Sequence, residues 1–206
     1  MMEKNKSKAQ LVTLEQMSRS DWGKRKKKRL IYYSIIYVPQ GKMLVASMDK
    51  GICFLGFDND KDLCINELRL RYPNAELKKQ TMPEHQNVRY YLMKDWKRVS
   101  EVHLYVRGTD FQMLVWKELL NIPFGKISTY GEVAQKIGRP RSVRPVGRAV
   151  GKNPIACIIP CHRVIYSSGK MGNFFWGVDL KLKMLNCESC SGKKIAGYSN
   201  WEPTLF

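Results

Sequence analysis

The stretch Ile158-Ile159-Pro160-Cys161-His162-Arg163-Val164 sets a thiol, an imidazole and a guanidinium in consecutive positions directly after a proline. An apolar run leads in (Ile155, Ala156, Cys157, Ile158, Ile159) and Val164-Ile165 lead out, so the three polar residues sit on the edge of a core. A thiol attacks as its thiolate, and a neighbouring imidazole or cation favours that form. The proline fixes its own φ and biases Ile159 toward extended geometry, which aims the next side chain reproducibly. Cys161 is therefore the candidate nucleophile. In extended backbone Cys161 and His162 point to opposite sides, so a bridging water is the expected link between them.

Upstream of this stretch the sequence turns helical at Thr109. Thr109-Asp110-Phe111-Gln112 has the pattern of a capping box, and Phe111, Leu114, Val115 and Leu119 follow with helical spacing until Ile122-Pro123-Phe124-Gly125 breaks it. Thr129-Tyr130-Gly131-Glu132 is a second capping box, opening a short helix through Val133, Ala134 and Ile137 that Gly138 ends. After Arg139-Pro140-Arg141, Ser142 can cap a third helix through Val143, Val146, Ala149 and Val150. Two short helices around a tight turn make a helix-turn-helix, and ordinary bundles contain such pairs too. The second helix of the pair alternates Gly147, Ala149 and Gly151 with Arg144, Arg148 and Lys152. Small residues let a backbone approach a groove wall and cations meet phosphates, while a solvated surface helix is the plainer alternative. A last helix spans residues 178–188.

The N-terminal half reads differently. Residues 1–29 are polar and basic with a short amphipathic piece (Leu11, Leu14, Met17), which predicts a loosely ordered arm. From Leu30, three runs rich in aromatic and β-branched residues (31–38, 42–48 and 51–57) are separated by the turn signals Pro39-Gln40-Gly41 and Asp49-Lys50-Gly51, as in an antiparallel meander. Asn59-Asp60 offers a cap for a helix carrying Leu63, Ile65, Leu68 and Leu70. A second helix over 84–98 and a strand over 102–106 complete a unit in which the sequence shows no chemistry.

The chain of 206 residues holds 36 Lys+Arg against 18 Asp+Glu, a net charge of +18. Such an excess points to a polyanionic partner, although part of it is the run at residues 24–29, which a disordered arm would also explain. No segment reaches the length of a membrane span and the N-terminus lacks the apolar core of a signal peptide, so an intracellular protein with reduced thiols is expected.

Pro160-Cys161-His162-Arg163-Val164, preceded by Gly151-Lys152-Asn153-Pro154 and followed by Ser168-Gly169-Lys170-Met171-Gly172-Asn173, resembles the active-site signature of the methylated-DNA–protein-cysteine methyltransferases, or O6-alkylguanine-DNA alkyltransferases. The resemblance extends weakly from about Leu30 to Glu188, and residues 17–22 resemble the linker before this domain in bacterial adaptive-response proteins. It implies an α+β fold: a small N-terminal α/β domain with an antiparallel sheet (30–107), then a mostly helical winged-helix or helix-turn-helix-like domain (108–190), flanked by the basic arm (1–29) and a polar tail (191–206). It implies stoichiometric transfer of an alkyl group from O6 of a flipped-out guanine, and from O4-alkylthymine, to Cys161, with no metal or organic cofactor. In that family a carboxylate orients the imidazole that activates the thiol through water, which here implies Glu188 and His162. Asn153 matches the asparagine that braces the active-site turn, and Tyr130 the tyrosine that protonates guanine N3. The helix with Arg144, Gly147, Arg148, Ala149 and Lys152 would enter the minor groove of double-stranded DNA, Arg144 filling the gap left by the flipped nucleotide. Pro145 departs from the alanine expected there.

Pro160, Val164 (through its carbonyl), Gly172, Phe174, Phe175 and Trp176 would form the pocket and lid. Phe174 replaces a frequent tyrosine, Phe175 stands where a small polar residue can bond the alkylated oxygen, and Trp176 narrows the pocket. The expected protein is a monomer that binds DNA without a membrane, in the cytoplasm or, in a eukaryote, the nucleus.

Other readings remain open. A zinc site can be drawn from Cys187 and Cys190 with Cys157, Cys161 and His162, though a second half with short spacing is missing. A Cys–His hydrolase would use His85 or His103. A non-catalytic binder of alkylated DNA would lack the thiol, and a transcriptional regulator would need further segments. Arg163 is expected to be structural, and Cys53 and Cys64 to be small core residues.

Overall fold

The computed structural model describes residues 11–18, 21, 29–59 and 62–188. The chain divides into two compact units, Met1–Gly108 and Thr109–Phe206.

In the first unit the expected meander forms as strands β2 (Arg29–Val38), β3 (Gly41–Met48) and β4 (Gly51–Phe57), paired antiparallel. The sheet does not end there. β1 (Val12–Gln16), β5 (Ala75–Lys79) and β6 (Val102–Val106) extend it to six strands in the order β1-β6-β4-β3-β2-β5. The pairings β1–β6, β4–β6 and β2–β5 are parallel. The sheet is therefore mixed, a correction to the antiparallel one expected. Parallel neighbours need a crossover, and the helices α1 (Leu63–Arg71) and α2 (Pro83–Leu92) lie in the connections that supply them.

Residues 12–16, read as part of a loosely ordered arm, instead form an edge strand, and Met17 is buried behind it, its amide bonding the Val106 carbonyl. Most of the basic run at 24–29, the tail after Glu188, Trp22, Asp60 and Cys190 lie outside the described residues. The residue before α1 is Asp62, at φ 66° and without a side-chain cap bond. Helix α2 was expected to reach Arg98 but stops at Leu92, because Lys94 takes a left-handed conformation at φ 58°. Ile31, Leu44, Phe54, Leu68 and Tyr105 build the core, with Cys53 and Cys64 as small buried members.

The second unit contributes helices α3 (Asp110–Leu120), α4 (Tyr130–Lys136), α5 (Val143–Gly151) and α6 (Val178–Glu188). A two-stranded parallel pair joins β7 (Ser128–Thr129) to β8 (Val164–Ile165). Both capping boxes are present: Thr109 Oγ1 accepts from Gln112 N and Thr109 N donates to Gln112 Oε1, and Thr129 and Glu132 repeat the pattern. Ser142 precedes α5 without a side-chain cap bond. Pro145 is the third residue of α5, and the first amide bond of the helix runs from Val146 N to Ser142 O at 2.9 Å. The proline therefore removes no helical hydrogen bond.

His85 is fully buried in the first unit. Its Nδ1 accepts from Ser34 Oγ and the Met82 amide, and its Nε2 faces Ser47 Oγ, which donates to Glu84 Oε1 at 2.8 Å. This chain satisfies a neutral ring, and burial pushes the pKa down to about 4. The unfolded chain takes up that proton first as the pH falls, so stability is full above about pH 6.5 and declines toward about pH 4. Urea unfolding across that range will show the decline, and His85→Gln will flatten its slope by up to about one proton.

Candidate active site

The site grows from a backbone reversal at residues 153–163. Cys157 adopts a left-handed φ of 65°, Ile158 N bonds Ala156 O, and Cys161 N bonds Ile159 O at 2.8 Å. Cys161–Arg163 is one turn of 3-10 helix begun by Pro160, not the extended segment expected. At about three residues per turn, consecutive side chains still diverge by roughly a third of a circle, so Cys161 and His162 point apart as anticipated.

Asn153 holds this reversal from inside. It is buried, its Oδ1 accepts from Ile155 N, and its Nδ2 reaches Ile155 O, Ile159 O and the Cys161 sulfur at 3.0, 2.9 and 3.1 Å. One amide thus fixes two backbone segments and aims a hydrogen at the nucleophile. Burial raises the Cys161 pKa, opposed by Asn153, by the charge of Lys181 and by the amides of Cys161 and His162. The resting sulfur is a thiol with anion-stabilising groups already in place.

His162 is 1% exposed, and its Nε2 meets Glu188 Oε1 at 2.9 Å. Since a carboxylate accepts, Nε2 carries the proton and Nδ1 is the free base. Nδ1 is buried and has no hydrogen-bond partner among the described residues. Burial also lowers the His162 pKa, against the pull of Glu188. Burial opposes the Glu188 charge, yet hydrogen bonds from His162 and Arg163 hold its pKa down at about 2. Arg163, expected to be structural, grips Glu188 through Nε and Nη2 and the Ile122 carbonyl through Nη1.

Tyr130 opens α4, placed there by the Thr129–Glu132 box. Burial pushes its phenol up to about 12, with Tyr166 and Cys161 adding to the rise. Gly172 leaves room for its hydroxyl, and Gly147 lies against its ring. A Cβ on Gly172, which sits at φ 70°, would come within 2.7 Å of the Tyr130 hydroxyl, and one on Gly147 would touch its ring at 3.8 Å. Gly147 therefore backs α5 onto Tyr130 while Arg144, Arg148 and Lys152 stay exposed on the outer face.

Ala149 departs from the expectation of a groove-facing residue. With Val146 and Val150 it forms the inner stripe of α5, is 2% exposed, and its carbonyl accepts from Trp116 Nε1. Helical periodicity explains this, since residues 146, 149 and 150 share one face. Phe174, Phe175 and Trp176 meet edge to face at 5.3 and 5.2 Å, with Phe175 still 45% exposed. Pro160 and Val164 are buried beside Cys161 in the chain.

Lys181 was missed from the sequence. It is 1% exposed, and its Nζ donates to the Val164 carbonyl at 2.6 Å and to the Met171 carbonyl. Burial lowers its pKa to about 8. The Val164 carbonyl, expected to face substrate, thus already accepts one bond and keeps one lone pair. A lysine at the apolar spacing Val178, Lys181, Leu182, Leu185 was the available signal. His85 and His103 are engaged elsewhere, the latter with Thr13 and Glu15. Among the described residues no cluster of three or more His, Cys, Asp or Glu could hold a metal ion, and Cys187 is exposed.

Residues 110–190 match the DNA binding domain of the 6-O-methylguanine DNA methyltransferase family, and residues 31–84 match its ribonuclease-like domain. The methylated-DNA–protein-cysteine methyltransferase of Methanosarcina barkeri is 40% identical over 160 residues, spanning 77% of this chain and 97% of that one. The bifunctional transcriptional activator/DNA repair enzyme Ada of Escherichia coli is 34% identical over 161 residues, 77% of this chain but 46% of its own. The crystal structure of Mycobacterium tuberculosis OGT in complex with DNA is similar with a TM-score of 0.60 and 34% identity, covering 77% of this chain and 92% of that one.

Asn153→Ala would strand Ile155 N and leave the Ile155 and Ile159 carbonyls with only their backbone donors, Ile159 N and Cys161 N. A stability loss of about 1–3 kcal/mol is expected, the cost of one buried unsatisfied amide, measured by urea unfolding.

Proposed function

This chain belongs to the methylated-DNA–protein-cysteine methyltransferase family, and from that premise we propose that it repairs double-stranded DNA by moving the alkyl group of O6-alkylguanine, and of O4-alkylthymine, onto Cys161, once per molecule. The observation that carries this reading is a buried thiol, bonded by Asn153, beside an imidazole that a carboxylate orients.

In the proposed step the Cys161 proton leaves through a water to Nδ1 of His162. The thiolate attacks the alkyl carbon in line with its bond to O6. The new S–C bond forms as the C–O6 bond breaks, the electron pair stays on the base, and the Tyr130 phenol gives N3 its proton. The imidazolium proton then returns through solvent to the phenolate and the base proton passes from N3 to N1, leaving a thioether on the protein and an unmodified guanine. The sulfur is the acceptor and is not regenerated, so the chemistry calls on no metal or organic cofactor.

The raised pKa values fit this order. A thiol that stays protonated at rest is a poor nucleophile toward stray electrophiles, and a phenol pushed up to about 12 keeps its proton until a developing anion claims it. The target atom must leave the base stack to reach a buried sulfur. Helix α5, with α4 a helix-turn-helix in a winged-helix-like unit, would lie in the minor groove with Arg148 and Lys152 on phosphates and Arg144 in the vacated space. The TM-score of 0.60 to a DNA-bound relative supports DNA as the partner. A binder without chemistry would have no use for the thiol, and Cys161 is present.

Intact-protein mass after incubation with duplex DNA carrying one O6-methylguanine is expected to rise by one methylene on the native chain and not on Cys161→Ala. Tight lesion binding with no gain in mass would favour the binder instead. Trp176 packs between two phenylalanines at the lid, so Trp176→Gly is expected to raise the transfer rate from O6-benzylguanine about tenfold or more by relieving roughly 1–3 kcal/mol of steric exclusion, while changing methyl transfer little.

A further inference from the structure

Arg163 takes part in no bond change of the step above, yet its three nitrogens are all engaged. Its guanidinium lies side-on to Glu188: Nε donates to Oε2 at 2.7 Å and Nη2 to Oε1 at 2.9 Å. Nη1 donates to the Ile122 carbonyl at 2.7 Å, which anchors the group to the backbone after α3. Both side chains are 12% exposed. A two-point contact of this kind fixes the plane of a carboxylate as well as its place, which the single ammonium of a lysine cannot do. The oxygen held by Nη2 is the one that meets His162 Nε2.

We infer that Arg163 is a positioning residue for the transfer: it sets the Glu188 carboxylate at the angle His162 requires and takes up part of its negative charge, so that the imidazole keeps an acceptor nitrogen. This rests on the proposed use of His162 as proton acceptor. The charged and titratable groups around that ring are Glu188 and Lys181 on α6 and Cys161 and Arg163 on its own turn. A carboxylate alone beside an imidazole favours imidazolium, which has no lone pair left to receive a proton. Burial opposes that pull most, and the charges of Arg163 and then Lys181 add to the opposition. Without the guanidinium, Glu188 would draw a proton onto His162 at a higher pH, and activation of the thiol would stop at that pH.

The chain holds three histidines, His85, His103 and His162, so each ring can be followed by NMR in the full-length protein. Native protein, Arg163→Gln and Arg163→Lys are titrated, and single-turnover methyl transfer is measured across the same range. In Arg163→Gln the His162 midpoint is expected to rise by about one unit, and the transfer rate to fall about two- to fivefold more at about pH 6 than at about pH 8.5. Arg163→Lys keeps the charge but not the two-point contact, so its midpoint stays near the native one while its rate falls at every pH. An unmoved His162 midpoint in folded Arg163→Gln, or a rate loss by the same factor at all pH values, overturns the inference. If Arg163→Gln does not fold, a native rate in Arg163→Lys overturns it. Should the native protein transfer no alkyl group, the functional reading fails, and the NMR midpoint still decides the role of Arg163.

Discussion

In the proposed transfer a sulfur must become an anion where an anion is least stable. Cys161 is 4% exposed, and burial alone holds its proton on. Everything around it answers that constraint with short-range groups. Asn153 points an N–H at the sulfur, the 3-10 turn points two amides, and Lys181 brings a cation into an apolar interior where its field is only weakly screened. Each is weak alone and none can move away. In the proposed reaction the remaining contribution is removal of its proton, which is assigned to the oriented imidazole of His162.

The same constraint explains why the backbone is so sharply turned. The reversal at 153–163 needs a left-handed non-glycine residue at Cys157 and a bond between residues two apart at Ile159 and Cys161. Such conformations persist where the surroundings over-determine them. Asn153 supplies that over-determination with one side chain bonded to both arms of the turn. Tyr130 is fixed from three directions, by its capping box, by Gly147 behind its ring and by Gly172 at its hydroxyl. A side chain at Gly172 would collide with the phenol, whereas one at Gly147 would meet its ring at ordinary contact distance.

Features governed by local rules were legible in the sequence. Both capping boxes, the meander, α6 and the Cys161 turn each announce themselves within a few residues, and the pairing of Asn153 with Cys161 and of His162 with Glu188 came from a family resemblance that the geometry matches. What escaped was non-local. β5 is too polar to read as a strand, with Glu76, Lys78 and Lys79 exposed, because an edge strand buries only one flank. Val12–Gln16 becomes a strand only because β6 is there to pair with it, some ninety residues on. Lys181 was read past because a cation on an apolar stripe is taken as surface until two carbonyls are seen to meet it. Ala149 was assigned by its size, when its phase along α5 decides its side.

Charge in this protein is divided by depth, and the division separates two tasks. The cations of the outer face of α5 are exposed, so their attraction to phosphates is long-ranged and is weakened by salt. Lys181 is buried and Arg163 and Glu188 are largely so, at 12% side-chain exposure, each bonded to a partner, so salt screens them less. Affinity for DNA can therefore vary over a wide range of ionic strength while the protonation states at the sulfur stay constant. A site that instead drew its cations from the surface would lose thiolate stabilisation and DNA affinity together as salt rose. Keeping Lys181 on backbone carbonyls and Arg163 on a carboxylate and a carbonyl is how the fold keeps the chemical step independent of the search for a lesion.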